Sequence, residues 1–273
     1  MNFTIRNTAI LAALAIVLGM TPALAAGDVE HPHEPAQGWS FDGFFGRYDT
    51  QSLQRGYLVY EQVCAACHSL KYVSYRNLGE PGALGFTEDE VRAIAAGHQV
   101  PAGPDETGAI VDDIGMLLTR PGTPADRIVQ PFANDQAAMA SNGGVLPPDL
   151  SLMAKARANG PSYIMSLLEG YADPHGDDHH EDGLAPGTHH NAFFPGHQIA
   201  MAPPLSEGQV EYPDGTEASV EQMAYDVSNF LMWAAEPKLE KRKRLGFQVL
   251  IFLLLLTGLC YASYKYVWRD VEH

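Results

Sequence analysis

Apolar positions recur at helical spacing along several stretches of this chain, and one stretch near the C-terminus is apolar throughout. Leu53, Tyr57, Tyr60 and Val63 fall near one face, which predicts a helix over 53–63. Gly56 sits in its middle, at a cost of about 1 kcal/mol relative to alanine, and points to close approach by another helix. Thr87-Glu88-Asp89-Glu90 is a capping box that opens a helix through Val91, Ile94 and Ala95. A helical turn is expected over 137–142, stopped by Pro147-Pro148-Asp149-Leu150, and short helices over 152–158 and 162–170. Ser219, with Gln222 three residues on, caps a last amphipathic helix carrying Val220, Met223, Val227, Phe230, Leu231 and Ala234 on one stripe. Glu236-Pro237 ends it. The 53–63 helix is expected to cross this 219–235 helix with Gly56 at the contact. The intervening 99–134 and 173–190 segments lack period and read as loops, and the aromatic, glycine-rich 38–49 segment reads as an arm over an apolar surface. One short hairpin is expected near 210–216. The fold class is therefore mainly α, with long loops.

The ends of the chain divide it further. Residues 245–264 carry no charge, and roughly 20 residues at ~1.5 Å each span about 30 Å of hydrocarbon. Tyr261, Tyr264, Tyr266 and Trp268 crowd the far end of this stretch, as aromatics do at a membrane interface. Cys260 lies inside it as a small apolar residue. At the other end Arg6, the apolar run 9–18 and Ala23-Leu24-Ala25 form the pattern of a secretory signal. The expected organisation is a signal peptide over 1–25, an exported domain over 26–240, a basic flank and transmembrane helix over 241–264, and a tail over 265–273. Lys241-Arg242-Lys243-Arg244 precedes the span and only Lys265 and Arg269 follow it, so charge alone would place the basic run in the cytoplasm. The signal outweighs this, because long domains cross largely regardless of charge. The basic run is then expected at the outer headgroup level or against acidic groups of a partner subunit.

Charge narrows the partners. The net charge is −16, and all but Asp270 and Glu272 of the acidic residues lie in 26–240. Such a domain is a poor nucleic-acid binder, and it would draw in a basic soluble protein at low salt.

The chemistry-bearing motif is Cys64-Ala65-Ala66-Cys67-His68, a C-x-x-C-H run that reads as covalent attachment of a c-type haem. Two thiols would form thioethers with the ring, and His68 would be the proximal iron ligand. A zinc site would need further ligands, and the third cysteine, Cys260, is far off in the apolar run. An electron-transfer haem needs a second axial ligand. Met201 is the leading candidate, because it sits in an apolar loop stiffened by Pro203 and Pro204, whereas Met153, Met165, Met223 and Met232 fall on helices where packing explains them. His98 and His197 are the rival ligands. His175, His179, His180, His189 and His190 form a polar run with no defined metal geometry.

Beyond the haem motif, several segments carry a resemblance. They are Arg55-Gly56-Tyr57, Val63 to Ser69, Tyr75-Arg76-Asn77-Leu78, Leu146-Pro147-Pro148-Asp149-Leu150-Ser151, Ala156-Arg157, Phe194-Pro195-Gly196, Met201-Ala202-Pro203-Pro204-Leu205, the Phe230 to Pro237 run and Arg242-Lys243-Arg244. Together they resemble the cytochrome c1 family, the haem-c subunits of the cytochrome bc1 complex, in its alphaproteobacterial form. The resemblance implies a cytochrome-c-like domain holding one covalent haem c, with Cys64 and Cys67 as thioether positions and His68 and Met201 as axial ligands. It implies Arg157 and Tyr163 at the haem propionates and Pro147 and Pro148 along the ring. It implies electrons arriving from a Rieske iron–sulfur protein and leaving to a soluble basic cytochrome c, with cytochrome b as a further partner in a dimeric complex. The subunit would supply no catalytic acid or base. Its haem domain would lie on the periplasmic side of the bacterial cytoplasmic membrane. Two other functions fit the haem motif alone: a tethered carrier feeding an oxidase, and an open-site haem enzyme or sensor.

Overall fold

The computed structural model describes residues 30–171 and 184–271. The expected signal peptide and His175, His179 and His180 lie outside them. Among the described residues there are seven α-helices and two short antiparallel strand pairs.

The core is the crossing of α1 (Thr50–Gln62) and α6 (Val220–Ala235). Asp49 caps α1 by accepting the Gln51 N–H at 3.0 Å. Leu53, Val59 and Tyr60 face Met223, Val227, Phe230 and Trp233, all essentially buried. Each such side chain contributes about 1.5–3 kcal/mol by leaving water. Gly56 is the contact the sequence predicts. A methyl group there would run into the Asp226 carbonyl and stand 2.8 Å from Phe230 Cβ. Ser219 caps α6 through the Gln222 N–H, but the Gln222 side chain does not complete the box; it donates to Asp226 instead.

α2 (Glu88–Ala96) opens on the full capping box of Thr87 and Glu90. α3 (Asp135–Ser141), α4 (Met153–Ala156) and α5 (Gly160–Glu169) follow. α5 packs on α6 through Ile164 and Met165. The 38–49 arm covers this layer: Trp39 stacks on Tyr225 and Phe41, and its indole donates to Ser162 at 2.9 Å.

Three loop expectations change. The 99–134 segment contains an antiparallel pair, β1 (Gln99–Pro101) with β2 (Thr119–Pro121). His189–His190, within the expected 173–190 loop, forms β3 against β4 (Gln198–Ile199). The expected hairpin at 210–216 is absent. Its alternating Val210 and Tyr212 are buried, yet the chain turns at Asp214, whose carboxylate accepts the Thr216 N–H and the Arg55 guanidinium. Those donors bring the Asp214 carboxyl down to about 2.

α7 (Leu239–Val267) is 29 residues long, about 44 Å at ~1.5 Å per residue. Among the described residues it is the one helix long and apolar enough to cross a membrane. It starts before the expected apolar boundary, because the basic run is itself helical. Only Glu236, Pro237 and Lys238 separate it from α6. The basic run meets acid and carbonyl groups of its own chain: Arg242 donates to Glu236 at 2.5 Å, and Lys243 Nζ to the carbonyls of Phe41 and Gly43 at 2.5 and 2.6 Å.

Candidate haem site

α1 runs directly into a single 3-10 turn, Cys64–Ala66. The Cys64 carbonyl accepts the N–H groups of Cys67 and His68 at 3.1 and 2.9 Å, so the two thiols and the imidazole leave one tight turn. Tyr60, one turn back on α1, donates its hydroxyl to the His68 carbonyl at 3.2 Å. Cys64 is half-buried, Cys67 is exposed and neither is in a disulfide. Burial, with the Cys67 thiol beside it, pushes the free Cys64 thiol up to about 12.

The 146–151 segment lies against this turn. Leu150 N–H donates to the Ser69 carbonyl at 2.9 Å. The Asp149 carboxylate accepts the Ser69 hydroxyl and the Lys71 N–H, each at 2.8 Å, and the Ser151 N–H at 3.0 Å. Burial opposes the charge on Asp149, but these donors outweigh it and hold the carboxyl below its usual range. The clamp sets the neighbouring Pro148 carbonyl 2.8 Å from His68 Nδ1. A carbonyl only accepts, so Nδ1 carries the proton and Nε2 keeps its lone pair for a metal. Burial lowers the His68 pKa more than the Pro148 carbonyl and Asp149 raise it, favouring the neutral imidazole that ligation requires.

Met201 lies half-buried on the loop after β4. Tyr171 donates its hydroxyl to the Met201 carbonyl at 3.0 Å. Burial, and to a lesser degree the nearby Tyr163, raises the Tyr171 phenol well above its ordinary value. Asn191, fully buried, ties the turn between β3 and β4 to α5 by donating its side-chain amide to the Leu167 carbonyl at 2.7 Å.

The rival histidines have other engagements. His98 Nε2 meets Glu61 at 3.0 Å and its ring stacks on Tyr75, while His197 stacks on His190. No group of three or more His, Cys, Asp or Glu side chains able to hold a metal ion is gathered among the described residues. Two thiols, an imidazole with a free Nε2 and a loop-borne thioether form a donor set that suits a covalently held iron porphyrin.

A sequence profile described as the Cytochrome C1 family matches residues 39–271, which takes in both halves of this site and α7. The chain belongs to the cytochrome c1 family. Cytochrome c1 of Rhodospirillum rubrum is 47% identical over the full length of both chains. Cytochrome b/c1 of Bradyrhizobium diazoefficiens is 43% identical over 96% of this chain, which matches 39% of that longer protein. Cytochrome c1 1, heme protein, mitochondrial, of Arabidopsis thaliana is 44% identical over 96% of this chain and 81% of the relative. Cytochrome c1 is the electron-transfer subunit of the bc1 complex, which also contains cytochrome b and a Rieske protein.

The structure distributes the expected cytochrome c1 residues unevenly. Cys64, Cys67, His68 and Pro148 meet directly. Met201 is held through its carbonyl by Tyr171. Pro147 is half-buried next to Pro148. Arg157 is exposed and lines a groove with Lys155, Asn159, Glu236 and Arg242, and no hydrogen bond or ion pair among the described residues joins its side chain to His68 or Met201. The contacts by which Asp149 and Tyr171 position the expected ligands escape a motif reading because their partners are 78–80 and 30 residues away in sequence.

Proposed function

We propose that this chain is a one-haem electron carrier of a quinol–cytochrome c reductase, taking electrons from the Rieske protein and passing them to a soluble basic cytochrome c. When bound, the haem supplies a one-electron iron couple. Cys64 and Cys67 would hold it covalently, and His68 and Met201 would supply the two ligands to its iron. A methionine opposite a histidine favours ferrous iron and a higher potential. Arg157 and Tyr163 serve the propionates, and Pro147 and Pro148 border the ring. The observation that carries this reading is the Nδ1–H of His68 held on the Pro148 carbonyl, which leaves the Nε2 lone pair available to a metal.

Residues 1–25 act as a signal peptide, 26–240 form the periplasmic domain, 241–264 anchor it, and 265–273 stay in the cytoplasm. Cytochrome b as a neighbour is supported by the relative named cytochrome b/c1, of which this chain matches 39%. The complete complex is a dimer.

Purification in mild detergent through a tag on this chain, with an assay of quinol-driven cytochrome c reduction, tests the proposal. Co-purification of a b-type cytochrome and an iron–sulfur protein, with activity, is expected. A lone haem protein inactive with quinol would overturn the reductase reading, and carbon monoxide binding by its ferrous form would replace it with an open-site haem.

A further inference from the structure

Where α7 leaves the folded domain, three phenylalanine rings gather outside the core. Phe44 and Phe45 come from the arm and Phe247 from the third turn of α7. Their centroids lie 5.0, 5.9 and 6.1 Å apart, all near edge-to-face. They remain 49, 77 and 43% exposed. Together with Arg47, Glu240 and Arg244 they line one cavity. The arm is fixed there, because Lys243 spends its ammonium on arm carbonyls. Glu240 is also engaged, accepting the Tyr48 N–H at 3.2 Å. The guanidinium groups of Arg47 and Arg244 have no hydrogen bond or ion pair among the described residues, and both residues are exposed.

Position along α7 gives these groups a level. Arg244 is the last charge before the uninterrupted apolar stretch, and Phe247 lies three residues further on, about 4.5 Å deeper along the axis. Two unpaired cations thus stand above an open aromatic floor, at the depth where a bilayer changes from phosphate to glycerol and acyl chain. Aromatic rings suit that boundary, and guanidinium groups bind phosphate oxygens in pairs. A protein partner could cover the rings alone. The two free cations against one hydrogen-bonded carboxylate favour an anionic ligand.

We infer that this cavity binds one anionic glycerophospholipid, its phosphate between Arg47 and Arg244 and its upper acyl chain on Phe44, Phe45 and Phe247. The inference rests on α7 being a membrane anchor. It gives the arm a second role besides sealing the core: it extends the domain's hold on the membrane surface beyond the single helix.

Native mass spectrometry of the full-length, haem-loaded chain in detergent, exchanged against phosphatidylglycerol or phosphatidylcholine, tests it. Wild type should retain one phosphatidylglycerol in preference to phosphatidylcholine. The Arg47→Gln/Arg244→Gln variant should hold it about tenfold more weakly, while Arg269→Gln, at the other end of α7, should match wild type. Phe45→Ser should weaken both lipids. Equal retention of the two lipids by wild type, or undiminished preference in the double arginine variant, would overturn the site. Alkaline carbonate extraction separates the two levels of the argument. A wild-type chain released by carbonate would remove the anchor and the site with it, whereas a chain that stays in the membrane without lipid preference would remove the site alone.

Discussion

Asp226 is wholly buried among donors: Arg55 reaches it with Nε at 2.8 Å, Ser52 at 2.6 Å and Gln222 at 2.8 Å. Arg55 and Ser52 belong to α1 and Gln222 to α6, so one carboxylate joins both core helices. Removing one member of a buried pair leaves a charge without its partner, at a cost of about 3–5 kcal/mol. Asp226→Ala should destabilise the haem-loaded protein by that order, read as a lower thermal midpoint, while Arg55 keeps only the more exposed Asp214. The proposed second iron ligand gives another test at this scale. Met201→Leu should lower the midpoint potential and stop turnover with the haem still attached, read by redox titration and by haem stain after denaturation; an unchanged potential would assign the sixth position elsewhere. The sequence makes the proposed attachment residues plain because Cys64, Cys67 and His68 stand within one turn. The positioning of His68 is not plain there, since it depends on a carbonyl of Pro148 that has no side-chain signature.

Helices rather than single side chains set the shape of the domain. Gly56→Ala would force α1 away from the Asp226 carbonyl, and overpacking of this kind costs about 1–3 kcal/mol. The variant should fold with a reduced denaturation midpoint, measured by urea titration followed at the haem. At the joint between α6 and α7, burial opposes the charge on Glu236, but Arg242 and Lys155 outweigh it and hold the carboxyl below its ordinary value of 4.5. A depressed carboxyl stabilises the fold fully above that ordinary value and loses its contribution as pH falls through the lower, folded one. Thermal midpoints should therefore drop on acidification below 4.5, and Glu236→Gln should show a shallower drop from a lower starting point. Most helices were open to reading from spacing and caps: Thr87 and Ser219 mark their starts and Pro237 a stop. The strand pairs were not, because strands of two or three residues such as Gln99–Pro101 are too short to show alternation. The missing hairpin shows the converse error. Val210 and Tyr212 alternate inward, but Asp214 is drawn to Arg55 of α1, a tertiary pull that no local pattern displays.

The whole molecule is an acidic body on a basic-footed apolar helix. With a net charge of −16, the proposed transfer to a basic cytochrome should slow as ionic strength rises, because encounter is steered by charge that salt screens. Stopped-flow rates unchanged between low and high salt would remove the steering claim. The basic foot, which by count alone argues for a cytoplasmic location, has a local explanation: Arg242 and Lys243 are spent within the chain, on Glu236 and on the arm.

That same foot governs how the domain can travel. The single break between α6 and α7 is bridged on several sides, by the Tyr48 hydroxyl on the Met232 and Glu236 carbonyls, by Lys155 and Arg242 on Glu236, and by Lys243 on the arm. A joint braced in this way resists swinging, so on the proposed anchor the haem pocket would be carried at a fixed height and heading above the bilayer. The proposed carrier is thus a stationary relay post: whatever distance separates it from donor and acceptor must be closed by their journeys, and its own contribution to the timing of transfer is to hold still.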